Sequence, residues 1–177
     1  PMTLTNMWEG LTRADVRFVV IGGIAGVAHG STRRTDDLDI CYDPSTSNVQ
    51  RLVGLLNAWH AHLRLPHEDG AKLPFVIDGR TFRDTPILTL QTNLGNLDLL
   101  DRVAGVGDYE AVAANSQLVN VGPIELRVLT LEALIAAKRA TGRPRDQEHL
   151  IELRALQALK QQEAKAPPAR RRPPRSR

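Results

Sequence analysis

The chain has 177 residues, 42% of them hydrophobic, enough for one compact domain with a buried core, and a formal charge of +3. The positive balance belongs to the end of the chain: six of the 23 basic residues and none of the 20 acidic ones stand from Lys165 onward, so everything before Lys165 is net acidic by three. No apolar run approaches a membrane span and no signal-peptide pattern is visible, which predicts a cytoplasmic protein with no membrane partner; one cysteine excludes an internal disulfide, and five histidines without zinc-like spacing exclude structural zinc.

In chain order, apolar spacing predicts a helix over Leu4–Leu11 and a short buried strand over Arg17–Ile21 that ends at Gly22-Gly23. A helix over Ile24–His29 follows. Glycines at this junction let backbone N–H groups approach an anion where a Cβ would intrude, or they make an ordinary tight turn. Gly22-Gly23-x-x-Gly26 lacks the G-x-G-x-x-G spacing of a dinucleotide site. The next strand, Leu38–Tyr42, carries Asp39 with Asp37 at its entry, so if the extended backbone takes in both, period two turns the two carboxylates to one face and Leu38 and Ile40 to the other. Paired carboxylates of this kind suit Mg²⁺ or Mn²⁺; a solvated acidic turn is the alternative. Cys41, beside them, reads as a small buried apolar residue.

Asp43-Pro44-Ser45 breaks the chain and opens a long helix through Val49, Leu52, Leu55, Leu56 and Trp59. Residues 66–83 read as irregular, with a turn at Asp78-Gly79. Strands are predicted over Ile87–Thr92 and Leu97–Val103, a helix over Asp108–Ala114, and a hairpin from Leu118–Val121 and Ile124–Val128 around Gly122-Pro123. A helix from Leu131 ends at Gly142 and Pro144, and a last one starts near Arg145-Asp146 with Leu150, Leu153, Leu156 and Leu159 as an apolar stripe assigned to the core. From Ala166 the chain is proline- and arginine-rich, reading either as a phosphate-seeking arm or as a solubilising terminus.

Hydrophobic-Gly-Gly, a gap of thirteen residues and then Asp37-Leu38-Asp39-Ile40 resembles the signature of the polymerase-β-like nucleotidyltransferase superfamily. Arg33-Arg34-Thr35-Asp36 before Asp37 is similar to the lead-in of its small bacterial members, abortive-infection and toxin–antitoxin nucleotidyltransferases among them. The resemblance implies an α/β (α+β) fold with a mixed sheet flanked by helices, divided into a catalytic core (1–129), a helical part (130–163) packed on it, and a flexible basic tail (164–177). It asks for a third carboxylate on a neighbouring strand. Asp98 in Leu97-Asp98-Leu99 supplies it, whereas period two turns Asp101 to the opposite face.

By the same resemblance, Asp37, Asp39 and Asp98 are catalytic and hold two Mg²⁺ ions (Mn²⁺ substituting), with Asp98 able to take the acceptor's proton. Gly22, Gly23, Ser31, Arg33 and Thr35 stand on the nucleotide side. Lys138 through Asp146, with Gly142-Arg143-Pro144-Arg145 between, is similar to a Lys, Gly-Arg-x-Lys-Asp pattern in which Lys138 reaches the triphosphate and Arg143 or Asp146 shapes the nucleotide site. Arg145 departs from that pattern, and basic residues capping a helix C-terminus are the alternative for this segment. The implied activity is transfer of a nucleoside monophosphate from an NTP to an acceptor hydroxyl with release of pyrophosphate. RNA is the favoured acceptor, a tRNA 3′ end included, with an antitoxin as partner. A protein or small-molecule (antibiotic) acceptor stands open, as does a catalytically silent binding module.

Overall fold

A computed structural model of the chain describes residues 2–64, 77–121 and 124–165. Its frame is a seven-stranded mixed sheet in the order β3-β4-β5-β2-β1-β9-β8. The strands are β1 (Phe18–Val20), β2 (Asp37–Tyr42), β3 (His62–Leu63), β4 (Ile87–Thr92), β5 (Gly95–Leu100), β8 (Ser116–Val121) and β9 (Ile124–Leu129); β6 (Arg102–Val103) and β7 (Gly107–Asp108) form a separate small ribbon. The helices are α1 (Met2–Arg13), α2 (Gly22–Ala28), α3 (Thr46–Ala58), α4 (Gly79–Asp84), α5 (Tyr109–Ala114), α6 (Leu131–Thr141) and α7 (Gln147–Lys165), the last preceded by a 3₁₀ turn at Pro144–Asp146.

Two central strands are parallel and in register: Asp37 lies opposite Asn96, Leu38 opposite Leu97, Asp39 opposite Asp98 and Ile40 opposite Leu99. Cross-strand partners share a face. Leu38, Ile40, Leu97 and Leu99 are therefore gathered on one side, where all four are fully buried, and the polar members are gathered on the other. β4 continues both rows antiparallel to β5, with Thr89 opposite Asp98 and Gln91 opposite Asn96. The core also takes Met7 and Leu11 of α1, Leu52 and Leu56 of α3, and Phe82 of α4, whose ring meets Tyr42 edge-on at 5.3 Å. Buried Asn48 on α3 locks the ends of β1 and β2 together. Its amide oxygen accepts from Arg17 N–H and its NH₂ donates to the carbonyls of Arg17 and Asp43.

Several expectations are corrected here. Asp78-Gly79 is a helix start rather than a loop turn: the Asp78 carboxylate accepts the N–H groups of Arg80 and Thr81, and the Thr81 hydroxyl accepts Asp78 N–H in return, so residues 79–83 are helical. Leu97–Val103 is not one strand, because β5 stops at Leu100 and β6 pairs in the separate ribbon. Of the leucine stripe on α7, Leu150 and Leu153 are buried and Leu156 half-buried, but Leu159 is exposed because the helix has by then run past the body of the protein. The strand β3 is an addition to the expected set. Gly122-Pro123, at the expected hairpin turn, and the Pro/Arg-rich terminus lie outside the described residues, although the flanking β8 and β9 do pair antiparallel.

Candidate active site

The glycine pair sits where β1 hands over to α2. Both glycines lie inside the first turn of α2, and Gly22 has φ +62°, a left-handed conformation that disfavours side chains. A Cβ on Gly22 would collide with the Asp39 carboxylate, and one on Gly23 with the Thr35 side chain. The Gly23 N–H bonds Asp39. The glycines thus let a helix start press directly onto the second aspartate of β2.

Register brings the three carboxylates together on the polar face of β2 and β5. Burial, with the neighbouring charge of Asp98 next, pushes the Asp39 carboxyl up to about 6 against the opposing Gly23 N–H. Burial also raises Asp98, and the Arg64 guanidinium works against that rise. Arg64 follows β3, with its N–H bonded to the Thr89 carbonyl, and bridges two of the three acids. One guanidinium nitrogen (Nη1) donates to Asp37 Oδ2 at 3.1 Å; the other (Nη2) donates to both oxygens of Asp98 at 2.9 and 3.2 Å. The Asn96 amide holds the remaining oxygen of Asp37 at 2.9 Å. Among the described residues, no cationic side chain pairs with Asp39.

The donor set fits a hard divalent cation, being three carboxylates on one face, two of them already neutralised by a positive group. No three acidic, histidine or cysteine side chains among the described residues are gathered closely enough to cage a metal ion, and Arg64 bonds both Asp37 and Asp98. Asp101 is elsewhere. Its charge is felt by Cys41 and Tyr42, farther along β2, so Asp98 alone faces Asp39. Cys41 is fully buried, and burial pushes its thiol up to about 12, which leaves it inert.

The other sequence candidates divide. Lys138, near the end of α6, bonds Asp146 at 2.8 Å across the Gly142 turn, both side chains are mostly buried, and the Lys138 charge reaches Asp39. The Arg143 charge reaches Asp98. Thr35 packs on Gly23 and donates to the Asp37 carbonyl at 3.3 Å. Ser31 instead faces α7: its hydroxyl donates to Glu152 at 2.9 Å, accepts the Arg33 N–H, and lies 3.2 Å from His149 Nε2. Glu152 also takes the Thr32 N–H and hydroxyl, at 2.7 and 3.0 Å, so α7 clasps the loop that follows α2. Arg33 is exposed beside this clasp, and its charge reaches His149.

Arg64 and Asn96 were not among the sequence candidates. Asn96 stands two residues before Asp98 and so shares its face by period two, a signal hidden by its turn-like neighbours. Arg64 follows a two-residue strand too short to announce itself. The polar row of Asp37 and Asn96 continues through Gln91 to His62 at the sheet edge, bordering a shallow depression of about 350 Å³ lined by His60, His62, Gln91, Thr92 and Asn93.

No protein-family model matches the chain, and no curated protein matches it. Solved structures do. A lincomycin-bound lincosamide antibiotic adenylyltransferase, LnuA, superposes with TM-score 0.60 at 13% identity, covering 88% of this chain and 97% of its own. ANT(2″)-Ia in complex with adenylyl-2″-tobramycin gives 0.57 at 15% identity over 93% and 90%. A Thermotoga maritima protein assigned to the nucleotidyltransferases gives 0.55 at 16% over 85% and 89%. The mixed sheet flanked by helices is the fold of these nucleotidyltransferase structures.

Proposed function

We propose that the protein is a metal-dependent nucleotidyltransferase that moves a nucleoside monophosphate from an NTP to an acceptor hydroxyl. The observation that carries this reading is the in-register placement of Asp39 and Asp98, with Asp37 on the same face, beneath the glycine start of α2. Asp37, Asp39 and Asp98 would hold two Mg²⁺ ions, or Mn²⁺ in their place. Bound there, the ions neutralise the triphosphate and lower the pKa of the acceptor hydroxyl. Asp98 takes the hydroxyl proton, a role suited to a carboxyl raised by burial. The acceptor oxygen bonds to the α-phosphorus, the α–β phosphoanhydride bond breaks, and pyrophosphate leaves. Lys138 meets the triphosphate with Asp146 fixing its ammonium group, and Gly22, Gly23, Arg33, Thr35 and Arg143 shape the nucleotide side. Ser31 serves there indirectly, by fixing the loop through Glu152. In this reading residues 1–129 form the catalytic core and 130–163 a helical part that completes it.

For the acceptor, the arginine-rich terminus supports RNA, tRNA 3′ ends included, and with it a toxin role opposed by an antitoxin. The likeness to lincomycin- and tobramycin-bound structures supports a small-molecule hydroxyl as the second reading. Incubation with Mg²⁺ and each labelled NTP in turn, against total RNA, protein extract and a panel of antibiotics, separates them by where the label goes. Transfer abolished by Asp39→Asn is the expected result. No transfer to any acceptor from folded, NTP-binding protein would leave a silent binding module. Among the described residues no helix is long and apolar enough to cross a membrane.

A further inference from the structure

We propose that Arg64 is a resident counter-ion of the carboxylate site, standing between Asp37 and Asp98 when no divalent cation is bound and giving up both when one binds. The inference rests on the metal-dependent reading above. Three carboxylates on one face of two adjacent strands repel one another unless positive charge sits among them. Arg64 supplies that charge by a bridge whose two ends lie on different strands: Nη1 on Asp37 of β2, and Nη2 on both oxygens of Asp98 of β5. A planar fork spanning two acids does what an ammonium cannot do with equal geometry.

The placement is specific. Asn96 occupies the other oxygen of Asp37, so Oδ2, the atom a cation would need from this residue, is the one Arg64 covers. Asp98 offers a cation nothing that Arg64 does not already hold. A divalent ion therefore cannot take a full share of both carboxylates while the guanidinium stays. The Arg64 side chain is only partly buried, 28% exposed, and it is anchored at its backbone by the Thr89 carbonyl, so the head can leave while the stem stays in the sheet. The site then exchanges one cation for another instead of exposing bare acids between turnovers, and its metal affinity without nucleotide is held down by the competition.

Two roles for Arg64 predict opposite signs. A scaffold residue, once removed, would let the carboxylates drift and weaken metal binding; a competing counter-ion, once removed, would strengthen it. The test is Mn²⁺ titration of the chelator-stripped, nucleotide-free full chain, followed by electron paramagnetic resonance of the free ion. Arg64→Ala should bind Mn²⁺ at least about ten-fold more tightly than wild type, as expected when a competing charge-assisted bridge is removed. Arg64→Lys, which keeps a charge but cannot bridge, should fall between the two and serves if the alanine variant folds poorly. Wild-type binding with both variants equal or weaker would overturn the role of Arg64 and leave the nucleotidyltransferase reading standing. No Mn²⁺ binding by wild type, with or without NTP, would overturn both.

Discussion

The two faces of β2 and β5 are made from alternate residues of the same twelve positions, yet they do opposite work. On one side Leu38, Ile40, Leu97 and Leu99 are fully buried and contribute the apolar burial that holds the sheet. On the other, Asp37, Asp39 and Asp98 crowd like charges together, with Asp39 pushed up to about 6. The difference teaches that one face stabilises the strands strongly enough to hold the other in an arrangement that is electrostatically unfavourable alone.

Substitutions on each face should break this contrast in different observables. The largest effect expected is on catalysis: Asp39→Asn should lower transfer by roughly 10³-fold, read as initial rate with saturating NTP, while the protein stays folded. Its stability should even gain. A carboxyl held at about 6 in the folded chain and near 3.8 when unfolded favours folding in its protonated form. Metal-free wild type should therefore lose stability as pH rises from about 4 through 6, by on the order of 2–3 kcal/mol. Asp39→Asn should flatten that part of a denaturation-versus-pH curve; an unchanged slope would contradict a raised Asp39 carboxyl.

Leu97→Ala, one residue from Asp98 on the opposite face, should cost about 2–5 kcal/mol in urea denaturation through the cavity it leaves. Well below its melting point, its effect on transfer should be small beside that of Asp39→Asn. Gly22→Ala joins the two faces of the problem. Its Cβ would meet the Asp39 carboxylate at a positive φ, so a loss of about 1–3 kcal/mol should come with a measurable fall in transfer rate. The smallest effect belongs to the far end of α7. Leu159→Ser should stay within about 0.5 kcal/mol of wild type, whereas Leu153→Ala, fully buried on the same stripe, should not.

The central strands were legible because alternation is a local signal: Asp37-Leu38-Asp39-Ile40 and Leu97-Asp98-Leu99 announce both their faces and their chemistry. Period two sets Asp101 aside, but β5 ends at Leu100, so it is the end of the strand and not alternation that removes Asp101 from beside Asp39. What stayed hidden depends on pairing. Arg64 enters the site only because β3 joins β4 at the sheet edge, and two residues of strand carry too little pattern to predict that. Ser31 shows the same dependence on distant partners. The resemblance puts it on the nucleotide side, and its hydrogen-bond partners, His149 and Glu152, lie 118 and 121 residues away and could not be read from its neighbourhood. Leu159 misled because a helical stripe records which side faces the body and not where the body ends.

The clasp between α7 and the loop after α2 bears on biosynthesis. Thr32 leaves the ribosome early, but the carboxylate that receives its N–H and hydroxyl arrives 120 residues later, and Lys138 with its Asp146 partner comes only shortly before. A nascent chain can form the β1–α2 junction and the β2 strand long before the loop joining them has its final anchor. The loop after α2 and the Lys138–Asp146 pair are thus among the last parts of the molecule to be completed, so a chain stalled or cleaved before Glu152 would carry all three aspartates without the clasp on residues 31–32.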